Sequence, residues 1–252
     1  MGEIIDDLIV LGRAGPELIS DGRHTICLGG WSPTRGFIRI YPTHMYSEAQ
    51  RWNVIQLPVE NRDDYRNESW KIEGSKDEWD NLHEKINRTD QLTRDEQIKL
   101  IENLPKTCPS KLNKQEESLG IVKPNEITDA YLEKVNDREE IQQDLQGHDL
   151  KSKNSYKHKL YIRYTCSGCD AKQGYHEQHV MEWGIYKWWD KNPDQAEQII
   201  DNLRLFDDEW NKHFFVGNLK NHPTSYVIIS VIRFKKSPES VAAEEHHSLN
   251  NF

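Results

Sequence analysis

Two thiols and two imidazoles fall within one short stretch: Cys166, Cys169, His176 and His179. A C-x2-C pair can grip one ion from a tight turn, and histidines three apart on a helix lie on adjacent turns of one face. The set therefore has the donor chemistry of a zinc site. Four protein ligands would close the coordination shell and make the ion a structural staple. Three would leave a position for water, and Glu177 or Glu182 could then act as general base in a metal-dependent hydrolase, including a nuclease. His176, His179 and Glu182 recur at three-residue intervals and would share one helical cleft. The order His-Glu-Gln-His is one residue short of the H-E-x-x-H metalloprotease signature, which argues against proteolysis. The competing reading is a reduced thiol pair beside surface histidines, with Glu182 on an ordinary polar face.

A second constellation runs Arg35-Gly36-Phe37-Ile38-Arg39-Ile40-Tyr41-Pro42. Strand alternation would put Ile38 and Ile40 on one face and Phe37, Arg39 and Tyr41 on the other. Arginines interleaved with aromatics pair with phosphates and stack on bases, the combination that reads single strands. His44, Arg51 and Trp52 follow closely enough to line the same groove. The alternative is a barrel strand whose aromatics cover the core edge and whose arginines pair with nearby acids. The chain has no G-x-S-x-G elbow, no P-loop and no dinucleotide-binding glycine fingerprint, which argues against the enzymes those motifs serve.

The 252-residue chain carries a formal net charge of −9, with acids concentrated in 73–102 and 126–149. That balance excludes indiscriminate coating of nucleic acid, so any contact with DNA or RNA must be selective and local. Arg13, Arg23, Arg35, Arg39, Arg51, Arg62 and Arg66 leave room for a local basic face in the N-terminal part. The four cysteines do not form a disulfide framework, which points to reduced thiols and a cytoplasmic protein. Residues 1–12 hold too short an apolar run for a signal peptide, and nothing later resembles a membrane span, so no membrane partner is expected. The eight tryptophans should serve mainly as core; any that reach the surface would suit an adaptor that docks another protein.

The elements needed to position these groups are an N-terminal run of short strands and a mixed remainder. Apolar runs at Ile4–Leu11, His24–Leu28, Phe37–Tyr41, Val54–Val59 and Trp70–Ile72, broken by glycine and proline turns, predict a small barrel-like sheet over 1–74. Capping-box patterns at Ser75 and Thr93 predict two amphipathic helices, one carrying Trp79, Leu82 and Ile86 and the other Ile98, Ile101 and Leu104, within a helical insertion and connector over 75–117. The region 118–236 should hold strands at Leu119–Val122 and Ser155–Thr165, a helix over Tyr175–Asp190, and a second helix opened by Asn192 and Pro193. A strand pair, His213–Val216 with Tyr226–Phe234, should close it. Residues 136–154 are highly charged and could lack order, and 237–252 read as a loose tail.

The phrases GFIRIYPTHM, ESLGIVKP, YTCSGCD with HEQHVMEWG, and HFFVGNLKNHPTSYVIISVIRF are landmarks spread over most of the chain. In them the sequence resembles a prokaryotic protein family, bacterial and archaeal, that carries no assigned activity. The resemblance implies one functional unit with the thiol–imidazole cluster as a family feature, and it transfers neither catalytic residue nor substrate. The expectation is thus an α+β protein: an N-terminal barrel-like sheet, a helical insertion, and a strand, zinc-knuckle and helix region closed by a β-hairpin. Its expected role is nucleic-acid-associated binding through Arg35, Phe37, Arg39, Tyr41, Arg51 and Trp52, with zinc on Cys166, Cys169, His176 and His179. The metal-dependent hydrolase and the protein-interaction adaptor are the alternatives.

Overall fold

Alternation of buried and exposed side chains shapes the N-terminal part. In the computed structural model, which describes residues 2–20, 22–45, 47–136, 141–143, 149–167 and 171–236, this part holds seven strands. They are β1 (Glu3–Arg13), β2 (Glu17–Leu18), β3 (His24–Ser32), β4 (Gly36–His44), β5 (Asn53–Asn61), β6 (Ser69–Ile72) and β7 (Asn87–Gln91). Their order, β1-β3-β4-β6-β5, closes because β1 also pairs with β5, giving a five-stranded barrel with β2 and β7 as additions on β3 and β5. Every second residue of β5 is buried, and Ile55, Leu57 and Val59 meet Ile5, Leu8, Val10, Leu28, Ile38 and Ile40 inside. Closure removes the free sheet edges that such short strands would otherwise expose.

The remainder contains α1 (Arg94–Asn103), β8 (Lys106–Thr107), α2 (Pro109–Lys114), β9 (Leu119–Val122), β10 (Glu126–Lys134), and the small pair β11 (Gln142–Gln143) and β12 (Asp149–Leu150). It continues with β13 (His158–Thr165), β14 (His176–Val180), α3 (Trp183–Lys191), α4 (Gln198–Asn202), β15 (Trp210–Leu219) and β16 (His222–Lys235). A second seven-stranded sheet runs β10-β13-β14-β16-β15-β9-β8. Tyr226 and Ile228 of β16 join a core with Trp183, Ile185, Tyr186 and Trp189 of α3. Val227 and Ile229, on alternate positions, instead meet Ile9 and Leu11 on the outer wall of the barrel, together with Phe215 and Met181.

Glycine permits this sheet-on-barrel contact. A Cβ placed on Gly29 would lie 2.6 Å from the Phe215 ring, and one on Gly12 would lie 2.9 Å from the Ser230 Cβ. The seam is fastened by Glu182, which accepts a hydrogen bond from the Val231 backbone N–H at 2.7 Å and pairs with Arg51 at 3.1 Å. Arg51 also donates to the Ser230 hydroxyl at 2.7 Å, so one guanidinium ties the barrel to both α3 and β16.

The expected barrel is present, and the closing hairpin is present with longer strands than expected. The rest is mostly β rather than α+β. The stretch expected as a helical insertion contains β7 and β8 alongside α1 and α2. The capping box at Thr93 forms, with the Glu96 carboxylate accepting from the Thr93 N–H at 2.8 Å. The one at Ser75 does not; Trp79–Lys85 is a 3-10 turn without a side-chain cap, although Leu82 and Ile86 face the barrel core as their spacing implied. The expected helix over Tyr175–Asp190 is strand β14 followed by α3, because 176–180 pairs between β13 and β16 and buries Gln178 and Val180 at every second position. Asn192 ends α3, donating from its side chain to the Trp188 carbonyl at 2.9 Å, instead of opening the next helix. The tail over 237–252 and residues 137–140 and 144–148 of the charged stretch lie outside the described residues; the remainder of that stretch holds β11, β12 and the start of a 3-10 turn at Lys153–Ser155.

Candidate functional site

Strand alternation on β4 sends Ile38 and Ile40 into the barrel and Arg39 and Tyr41 to its outer wall. There they meet two further arginines from the turn between β5 and β6. Asp64, its side chain wholly buried, accepts a forked pair from Arg66 at 2.7 and 2.9 Å and lies 3.3 Å from Arg62. The planar guanidinium suits this two-pronged geometry, which fixes where both arginines point. Arg66 reaches on to the Asn218 carbonyl and amide oxygens at 3.4 Å, and the Arg62 guanidinium lies over the Tyr41 ring at 4.5 Å.

Arg39 is 5% exposed. Its Nη2 donates to the Ser118 carbonyl at 3.2 Å and hydroxyl at 3.1 Å, its Nη1 points at the Cys27 Sγ 3.7 Å away, and its Nε has no partner. Among the described residues it forms no ion pair.

These groups line a cleft of about 250 Å³ between barrel and second sheet. Ala14, Gly15 and Glu17 border it on the barrel side, and Gly217, Asn218 and Lys220 on the β15–β16 hairpin close the other. Met181, Val227 and Ile229 form an apolar floor. Four cations face it, while Glu17 is already paired with Lys153. Burial alone would raise the Asp64 pKa, but the hydrogen bonds from Arg66 overcome it and hold the carboxyl below its ordinary value. Burial pushes the Tyr41 phenol up against the opposing Thr25 hydrogen bond, and lowers Arg62 against the pull of Asp64. Tyr41 therefore keeps its proton. With Thr25 donating to the phenol oxygen at 3.0 Å, that proton is available to a ligand.

The structure divides the expected nucleic-acid set. Arg39 and Tyr41 reach the cleft. Phe37 packs between Trp31 and Phe215, Arg35 is exposed and paired with Glu3 at 2.8 Å, and Arg51 belongs to the Glu182 fastening beside Trp52. Trp52 lies against Phe234, and His44 beside Trp79 and His83. Arg66, Asn218 and Lys220 join the cleft from positions far from β4 in sequence. Arg62 and Arg66 belong to the expected N-terminal basic face, and the pattern Arg62-Asp63-Asp64-Tyr65-Arg66, two arginines around acids at the end of a strand, is the signal that marks their turn.

The two imidazoles of the thiol–imidazole set do not share a face. His176 pairs across from Tyr164 and His179 across from Tyr161, on alternate faces of β13 and β14, and each ring lies 5.4 Å from its tyrosine. A strand turns residues three apart to opposite faces, so the shared helical face that was to offer both imidazoles to one ion does not exist. Cys166 is half-buried at the end of β13, and Cys169 lies outside the described residues. No cluster of three or more potential ligands occurs among the described residues. Glu182, held by Arg51 and Val231, faces the seam and not the histidines, while exposed Glu177 pairs with Arg163. All eight tryptophans are buried or half-buried.

A second group of arginine and aromatic residues lies across β10, β13 and β14. Tyr131 stacks on Tyr161 at 5.6 Å, Tyr161 meets His179, and Arg163 lies over Tyr131 at 5.2 Å. Here Arg163 is engaged by both Glu177 and Asp129.

Residues 5–103 match the model of a domain of unknown function, DUF8758. The match runs from β1 to the last residue of α1, so it holds the whole barrel with Arg39, Tyr41, Arg62 and Arg66. A family without an assigned function agrees with the resemblance seen in the sequence. No curated protein matches the chain. No helix among the described residues is long and apolar enough to cross a membrane.

Proposed function

We propose that this is a nucleic-acid-associated binding protein whose ligand phosphate enters the cleft of Arg39, Arg62 and Arg66. One observation carries the reading. In a chain of net charge −9, four cations line a single cleft, and Asp64 is the one carboxylate among the described residues that pairs with any of them. Holding a guanidinium away from water without a counter-ion costs several kcal/mol. A bound phosphate supplies the missing charge and accepts charge-assisted hydrogen bonds, with the Tyr41 hydroxyl as a further donor. The surrounding acidity limits attraction to this cleft, which favours selective over dispersed contact.

Fluorescence anisotropy of labelled single-stranded DNA and RNA over a salt series tests this. Affinity is expected to fall with salt at a log–log slope of about −0.7 per neutralised phosphate. Arg62→Ala should weaken binding, whereas Arg35→Ala should leave it unchanged. Salt-independent affinity, or full binding by folded Arg62→Ala, would remove the assignment.

A further inference from the structure

We propose that the cleft takes a terminal phosphate monoester, at the end of a nucleic-acid strand or on a free mononucleotide, in preference to an internal phosphodiester. This rests on the reading of the cleft as a phosphate site and adds which phosphate it selects.

The first distinction between the two phosphates is charge. Arg39, Arg62, Arg66 and Lys220 face the cleft; Asp64 offsets one of them, and the Ser118 hydroxyl that accepts from Arg39 donates in turn to Glu68, which leaves a surplus of about two. An internal phosphodiester brings a single negative charge into this surplus. A monoester brings about −1.5 to −2 at neutral pH and three acceptor oxygens. Only the monoester approaches the charge that the arginines leave unmatched.

The second is shape. Arg39 lines the cleft with its guanidinium backed by Ser118 and by the Gly217 backbone; a Cβ on Gly217 would come within 3.1 Å of Arg39 Nη2 and 2.6 Å of Ile229. Met181, Val227 and Ile229 seal the floor, and the exposed side chains of Lys220 and Asn221 stand at the mouth. A cleft of about 250 Å³ has room for a phosphate with its adjoining sugar. A phosphodiester carries a second sugar, for which that volume has no room.

The third is donor placement. The Arg39 Nε is buried without a protein partner, and the Tyr41 phenol oxygen accepts from Thr25, which leaves the phenol proton to donate. Arg62 adds its guanidinium above the Tyr41 ring. These groups come from β4 and the β5–β6 turn and line the barrel side of the cleft.

The test uses the full chain and one labelled single-stranded oligonucleotide in three forms: phosphorylated at the 5′ end, phosphorylated at the 3′ end, and with hydroxyls at both. Adenosine monophosphate and adenosine serve as competitors. One phosphorylated form should bind about ten-fold more tightly than the dihydroxyl form, as expected for an added charge-assisted contact. Its advantage should grow as pH rises through the second phosphate ionisation near about 6. Arg62→Ala should abolish the advantage, and Lys220→Ala, on the exposed turn, should reduce it if the first variant does not fold. Competition by the monophosphate, but not by adenosine, with no gain from a phosphorylated strand end would keep the monoester assignment and identify the free nucleotide as its source. Equal binding of all three oligonucleotides without competition by the monophosphate would overturn the preference while leaving a nucleic-acid role intact. Absence of binding by every phosphate-bearing probe would overturn both.

Discussion

The cleft at Arg39 and the face at Arg163 share a composition and differ in their charge. Each combines arginine with tyrosine on a β-sheet, the Arg62 guanidinium over Tyr41 in one and Arg163 over Tyr131 in the other. Arg163 has two carboxylates for one cation, whereas the cleft has four cations with Asp64 between two of them. Arginine interleaved with aromatics is therefore not by itself a binding signal. What distinguishes a site is charge that the protein leaves unmatched in a place a ligand can reach.

The comparison can be broken most severely at Asp64. Asp64→Ala leaves Arg62 and Arg66 without their shared carboxylate and should destabilise the fold by about 3–5 kcal/mol, read from a urea denaturation midpoint. If stability is unchanged, the turn does not depend on the carboxylate for the placement of its arginines.

The same principle extends to His213, buried between Lys106 and Lys123 with no partner at Nδ1. Burial first, then the two lysines, push its pKa down to about 4, so folding favours the neutral ring. The resulting stability is complete above about pH 6.5 and is lost as pH falls toward the folded value, about 3 kcal/mol in all. His213→Gln should flatten that part of a stability–pH curve measured by thermal unfolding.

Arg62→Ala and Arg35→Ala sharpen the contrast within the N-terminal half. The first should cost about ten-fold in affinity for a phosphate-bearing oligonucleotide, about 1.4 kcal/mol. The second, removing an exposed pair with Glu3, should be silent by anisotropy. Arg163→Ala should have the smallest effect of all, within about 0.5 kcal/mol in stability and none on oligonucleotide binding, because exposed pairs contribute little. Loss of binding by Arg163→Ala would move the site to the other face.

How much of this was legible in the sequence follows from how local each cause is. Alternation along β4 was readable because it needs only neighbouring residues, and it located Arg39 and Tyr41. The capping box at Thr93 was equally local, and it formed. His176–Val180 is ambiguous in sequence because a short stretch with both apolar and polar residues satisfies either period, and only pairing with β13 and β16 selects the strand. Arg51 and Glu182, 131 positions apart, and Arg66 and Asn218, 152 apart, are joined by the packing of one sheet on the other, which no local pattern encodes.

The glycine-smoothed seam between barrel and second sheet bears on how the DUF8758-like region can travel between proteins. That region ends at residue 103, before every residue of the hairpin that encloses the cleft. Cut from this chain, it would carry its arginines on an open wall beside the apolar patch of Ile9, Leu11, Trp31 and Phe37. A patch of that kind invites association or aggregation. It is thus half of a joint, and the apolar patch needs a cover from the chain beyond it.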